Sequence, residues 1–172
     1  MNGNRTVKEY RAELKSLGRQ RFLAMNNAPV LLAANPHAPD GPGYFTRPQT
    51  APLAVSASYA HRLGFLVDDT YLVIPVTKLE GRPFPERIGV GRTRGTDIIL
   101  IGSDISKYHA YFTTEAEKWQ LTDAGSSNGT FVDGERLASM QARTLTDGAL
   151  VAFGARLHLF RTSTGFADFL SK

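Results

Sequence analysis

Three short stretches of the 172-residue sequence gather side chains able to act on or hold a ligand: Gly91-Arg92, Ser106-Lys107-Tyr108-His109, and Asp123-Ala124-Gly125-Ser126-Ser127-Asn128-Gly129-Thr130. Ser106, His109 and Asp123 are the residue types of a hydrolytic triad. Triads are defined by geometry, however, and no Gly-x-Ser-x-Gly elbow surrounds Ser106 or Ser127. His37, His61, His109 and His158 show neither His-x-x-x-His nor Glu-x-x-His spacing, and the chain has no cysteine, so thiol catalysis and a disulfide framework are excluded and no metal site is expected. No Gly-x-x-x-x-Gly-Lys loop is present, and no Gly-x-Gly-x-x-Gly run follows a strand-like segment, which leaves nucleotide chemistry unsupported. The expectation is a protein that is not an enzyme and carries no cofactor.

What the three stretches can do together is bind. A guanidinium can hold two oxygens at once, a lysine adds charge, and serine hydroxyls are short orientable donors, which is the set a phosphate dianion needs. An asparagine amide offers both donor and acceptor to the backbone of a peptide. Singly, each of these residues reads as an ordinary turn residue, Asn128-Gly129 included. The combination requires a scaffold that brings three distant turns to one end.

Such a scaffold is legible downstream of Asp69. Tyr71–Val76, Arg87–Val90, Asp97–Leu100, Ala110–Thr113, Lys118–Leu121, Thr130–Val132, Leu150–Phe153 and Arg156–Phe160 are short, β-branched or aromatic runs. Glu80-Gly81, Asn128-Gly129, Asp133-Gly134 and Asp147-Gly148 punctuate them, with Asp133-Gly134 the best candidate for a type I′ hairpin. Many short strands at this spacing argue for an all-β sandwich, whose end loops converge in space. Upstream, Val7, Tyr10, Leu14 and Leu17 recur at helical steps and Thr6 with Glu9 has capping-box spacing, which predicts a basic helix over 6–25 carrying Arg5, Lys8, Arg11, Lys15, Arg19 and Arg21. Prolines 29, 36, 39, 42, 48 and 52 then suggest an extended linker. Phe166 to Leu170 reads as one helical turn packing two rings.

Charge sits unevenly on this plan. The net +4 arises wholly within residues 1–68, with eight Lys or Arg against four Asp or Glu, while residues 69–172 balance twelve against twelve. No apolar run approaches the ~20 residues of a membrane span and the first residues do not form a signal peptide, so a cytoplasmic setting is the expectation.

In order and context, Gly91-Arg92, Ser106-x-x-His109 and Ser126-Ser127-Asn128-Gly129-Thr130 resemble the motif of the forkhead-associated (FHA) domain, a family of phosphothreonine-peptide readers. The resemblance spans about Asp69 to Ser163 and implies an eleven-strand β-sandwich, here preceded by the N-terminal helix (1–27) and the Pro/Gly-rich segment (28–68) and followed by a helical turn (164–172). It further implies that Arg92 and Ser106 contact the phosphate with Lys107 adding charge, that Ser127 stands where the family most often has Thr, and that Asn128 holds the peptide backbone just after the phosphothreonine. Gly91, His109 and Gly129 match structural positions: His109 would buttress the loop carrying Ser106, and Gly129 would permit a tight turn. The implied partner is a phosphothreonine-containing protein, such as a Ser/Thr kinase or its substrate, in phosphorylation-dependent signalling. The rival reading is a scaffold whose basic N-terminal helix binds nucleic acid or an anionic surface. A third has Thr6, Thr46 or Thr50 phosphorylated and bound by the same kind of site.

Overall fold

The computed structural model of the chain describes residues 5–35 and 68–172. Two helices, α1 (Val7–Leu17) and α2 (Arg19–Met25), precede β1 (Val30–Ala33). Then follow β2 (Leu72–Pro75), β3 (Ile88–Gly91), β4 (Ile98–Ile99), β5 (Ala110–Glu115), β6 (Lys118–Asp123), β7 (Thr130–Val132), β8 (Glu135–Arg136), β9 (Ala142–Thr144), β10 (Leu150–Phe153) and β11 (Arg156–Arg161). A third helix, α3 (Ser163–Leu170), comes last. The strands form a six-stranded sheet, β2-β1-β11-β10-β7-β8, and a five-stranded sheet, β4-β3-β5-β6-β9.

Side-chain alternation explains why the layers stack. On β1, Leu31 points between the sheets, where it joins Val90, Ile98, Phe112, Leu121, Val151, Phe153 and Phe160 in one buried core. Val30 and Leu32 point the other way, with Val73 and Leu159, into a second core closed by Val7, Tyr10, Leu14, Phe22, Phe166 and Leu170 of the helices. The helices are therefore a third layer on the outer face of the six-stranded sheet. Burying each of Phe22 and Phe166 is worth about 1.5–3 kcal/mol, and Tyr10 meets Phe166 edge-on at 5.4 Å.

Several expectations change here. β1 lies inside the stretch read as a linker, and it pairs antiparallel with both β2 and β11, so the sandwich draws on residues well before Asp69. A strand buried on both faces is continuously apolar and gives no alternation, and Pro29 beside it looked like an interruption. The rest of that stretch, residues 36–67, with Thr46, Thr50 and the ambiguous run 54–67, lies outside the described residues. The helix predicted over 6–25 starts on its capping box, with Thr6 and Glu9 bonding each other's backbone N–H, but breaks at Gly18. Gly18 takes φ 74°, closing α1 and opening α2. The terminal turn is longer than expected, eight residues capped by the Thr162 hydroxyl, with Phe166 and Phe169 stacked.

The eight strand-like runs all coincide with strands of the sandwich. Asp133 and Gly134 both take positive φ, 50° and 85°, as a type I′ hairpin requires. Asn128-Gly129 is no hairpin turn; it lies in the connection from β6 to β7, which crosses from one sheet to the other. Among the basic residues of the helices, Arg11 pairs with Asp69 at 3.1 Å and bonds the Leu170 carbonyl at 2.7 Å, Arg19 pairs with Asp168 at 2.6 Å, and Arg5 pairs with Glu13. Thr6 spends its hydroxyl on the cap. Among the described residues no helix is long and apolar enough to cross a membrane.

Candidate functional site

Three loops meet at one end of the sandwich: β3 to β4, β4 to β5, and β6 to β7. Backbone and side-chain bonds tie them together. Arg92 N–H donates to the Ser106 carbonyl at 3.1 Å, and the Thr93 hydroxyl to the Lys107 carbonyl at 3.0 Å, joining the first loop to the second. Gly91 is required by this contact, since a Cβ there would lie 2.2 Å from the Lys107 carbonyl oxygen. Ser127 N–H donates to Ser106 Oγ at 3.1 Å, and Asn128 Nδ2 donates to the Asp104 carbonyl at 2.8 Å, joining the second loop to the third.

His109 lies beneath this junction, fully buried. Its Nδ1 accepts from Ser106 N–H at 3.1 Å, so Nε2 carries the proton and donates to the Gly129 carbonyl at 3.1 Å. Burial pushes its pKa below the ordinary 6.5, which favours the neutral ring this pattern needs. The third loop is shaped from inside by Asp123. Its carboxylate accepts from Ser126 Oγ, from Thr130 Oγ1 at 2.7 Å, and from the N–H groups of Gly125 at 2.9 Å and Ser126 at 3.1 Å. Burial alone would raise the Asp123 pKa; these four hydrogen bonds outweigh it and hold the carboxyl below its usual range. Gly129 has φ 83°, a conformation that favours glycine.

Arg92, Lys107, Ser127 and Asn128 are all exposed, and Ser106 is half-buried. Among the described residues, neither the Arg92 guanidinium, the Lys107 ammonium nor the Ser127 hydroxyl has a hydrogen-bond or ion-pair partner. Asn128 keeps its carbonyl oxygen and one N–H. The loops are thus pinned through their backbones while the donors of an anion site remain unspent. Sequence reasoning passed over two positioning residues here, Thr93 and Asp104, which gave no signal; Asp123 stood out as a triad-type carboxylate, but not as the residue that shapes the third loop.

The family model for the FHA domain matches residues 88–154, from β3 to the turn after β10. The chain carries an FHA domain. FHA domains are generally phosphothreonine-binding protein-interaction modules and are not catalytic. Over 88 residues, 49% of this chain, the sequence is 32% identical to the transcriptional regulatory protein EmbR of Mycobacterium bovis, of which it covers 22%. Over 113 residues, 66% of this chain, it is 28% identical to an ABC transporter ATP-binding/permease protein of Mycobacterium tuberculosis, of which it covers 13%. The chain therefore spans less than a quarter of the length of either relative. Among solved structures, the FHA domain of an Arabidopsis thaliana hypothetical protein superposes with TM-score 0.47 at 20% identity, covering 79% of this chain and 86% of that one. Mycobacterium tuberculosis EmbR in complex with a low-affinity phosphopeptide gives 0.45 at 21%, covering 78% and 24%. The family match leaves out β1, β2 and β11 of the sandwich, so the helical layer and half of the six-stranded sheet lie beyond it.

Proposed function

We propose that this FHA domain reads a phosphothreonine peptide and so joins the protein to a partner that a Ser/Thr kinase has phosphorylated, the kinase itself included. In this reading Arg92, Ser106, Lys107 and Ser127 take the phosphate and Asn128 takes the peptide backbone beside it. The observation that carries the proposal is the contrast at the loop end: hydrogen bonds tie the three loops to one another, while the Arg92 guanidinium, the Lys107 ammonium and the Ser127 hydroxyl have no partner among the described residues. Loops already tied together lose little further backbone entropy on binding. A phosphorylated threonine brings about −1.5 to −2 charges and three acceptor oxygens, all absent from plain threonine.

Titration calorimetry tests it with phosphothreonine peptides from a degenerate library. Removing the phosphate should abolish detectable binding. Arg92→Ala should weaken affinity at least roughly a hundredfold, since hydrogen bonds to charged groups contribute about 1.5–3 kcal/mol each. Equal affinity for phosphorylated and plain peptide, or for Arg92→Ala and the natural chain, overturns the reading. The rival function for the N-terminal helices has weaker support: Arg5, Arg11 and Arg19 are engaged with carboxylates of the same chain, and the exposed Lys8, Lys15 and Arg21 lie on helices with no hydroxyl or amide cluster tied beside them as at the loop end.

A further inference from the structure

Arg156 opens β11, just past the last residue that the family model matches. The hairpin it belongs to, between β10 and β11, touches the loop end at three points. Gly154 N–H donates to the Gly129 carbonyl at 2.9 Å, the same oxygen that takes His109 Nε2. The Gly154 backbone lies close on Asp104 of the second loop, since a Cβ on Gly154 would stand 2.9 Å from the Asp104 carbonyl oxygen. Arg156 itself grips the Asp104 carboxylate with two nitrogens, Nη2 at 3.3 Å and Nε at 3.4 Å. Its guanidinium also lies against Gly102, where any Cβ would run into it. Asp104 in turn offers its carbonyl oxygen to Asn128 Nδ2 at 2.8 Å. A chain of contacts therefore leads from β11 to the amide proposed to meet the peptide.

We infer that Arg156 is a positioning residue of the peptide site, which fixes Asp104 and through it the orientation of the Asn128 amide. The inference rests on the reading proposed above, in which Asn128 takes the peptide backbone. An asparagine amide has a donor edge and an acceptor edge, and turning it over exchanges them. The bond to the Asp104 carbonyl removes that ambiguity: one N–H is spent on the loop, and the carbonyl oxygen and the other N–H are left for the peptide. The bond orients Asn128 only as well as Asp104 is itself held. A guanidinium fork on a carboxylate constrains direction as well as distance, and here it ties an exposed loop to a strand inside the six-stranded sheet. Without Arg156 the second loop keeps its ties at Ser106 and Lys107 but loses this one at Asp104, and Asn128 must be ordered by the peptide at the peptide's own cost.

Two measurements on the full chain test this. In the first, affinity for a phosphothreonine peptide is compared among Arg156→Gln, Asn128→Ala and the double variant. Arg11→Gln is the control, because Arg11 also pairs with an aspartate and its side chain is 25% exposed against 24% for Arg156. Arg156→Gln should weaken binding by about three- to tenfold, the scale of one hydrogen bond, and Arg11→Gln should leave it unchanged. In the Asn128→Ala background Arg156→Gln should cause no further loss, since a residue acting through Asn128 then has nothing to position. A cation that attracted the phosphate directly would keep its effect there. The second measurement follows hydrogen exchange of the Asn128 side-chain amide by NMR without peptide, and so decides even where Asn128→Ala binds too weakly to titrate. Arg156→Gln should speed that exchange several-fold and Arg11→Gln should not. Unchanged affinity or unchanged amide exchange in Arg156→Gln, or a full loss that persists in the Asn128→Ala background, overturns the inference with the phosphothreonine reading still standing. A natural chain that binds no phosphothreonine peptide overturns both.

Discussion

The helical layer and the loop end of the sandwich hold the same kind of side chain under different arrangements. In the helical layer, Arg5, Arg11 and Arg19 each meet a carboxylate of the chain itself, Arg5 also lies over the Tyr10 ring, and Lys8, Lys15 and Arg21 are exposed without a partner among the described residues. At the loop end, Arg92 and Lys107 meet none among the described residues, and what is bonded there is the backbone that carries them. The net +4 of the chain belongs to the first region, yet the second is the one equipped for an anion. Bulk charge marks where cations are numerous. Unpaired cations gathered with hydroxyl and amide donors on loops tied to one another mark where an anion can be held.

If the two regions are separate in purpose, damage to one should leave the other readable. The largest effect belongs to the apolar layer: Phe22→Ala removes a fully buried ring and should cost about 3–5 kcal/mol in denaturant unfolding. Peptide affinity of the folded fraction should not change, and a fall in that affinity would show that the helices help shape the site.

Acid should strike next, through His158 on β11. Burial pushes its pKa down from 6.5 to about 4. Between those values the unfolded chain binds the proton and the folded chain does not, so stability is full above about pH 6.5 and falls as pH drops toward 4, by about 3 kcal/mol in all. His109, lowered for the same reason, adds loss of the same sign at the loop end. His158→Gln should flatten much of the pH dependence of unfolding, and a profile unchanged by it would break the assignment. The smallest effect is expected where the charge is greatest. Arg11→Ala with Arg19→Ala should cost about 1 kcal/mol, as for partly exposed pairs, and leave phosphopeptide binding untouched; a drop in affinity would join the two regions electrostatically.

Why some of this was readable in the sequence follows from the physics of each element. Strands with one buried face or a two-residue turn announce themselves, as β7 and β8 do around Asp133-Gly134. β1 was missed because both of its faces are covered, β9 because all three of its residues are exposed, and the β5–β6 turn because Ala116 and Glu117 take positive φ, 47° and 64°, without the glycine or asparagine that usually signals it. At the site, Arg92, Ser106, Ser127 and Asn128 were visible as chemistry in convergent turns. The Asp123 network and the bond from Asn128 to Asp104 are products of tertiary approach, and spacing along the chain does not encode them.

The position of β1 has a consequence for how the chain comes to be folded. Leu31 sits beside Phe160 on one flank and Ile74 on the other, so the interior of the six-stranded sheet is a seam between an early strand and one of the last. During synthesis the five-stranded sheet can pair among near neighbours, whereas β1 must wait with one edge open until β11 leaves the ribosome. Closing that seam is the slow, long-range event, and a chain shortened past β1 would turn the seam into an exposed edge, ready to pair with another molecule.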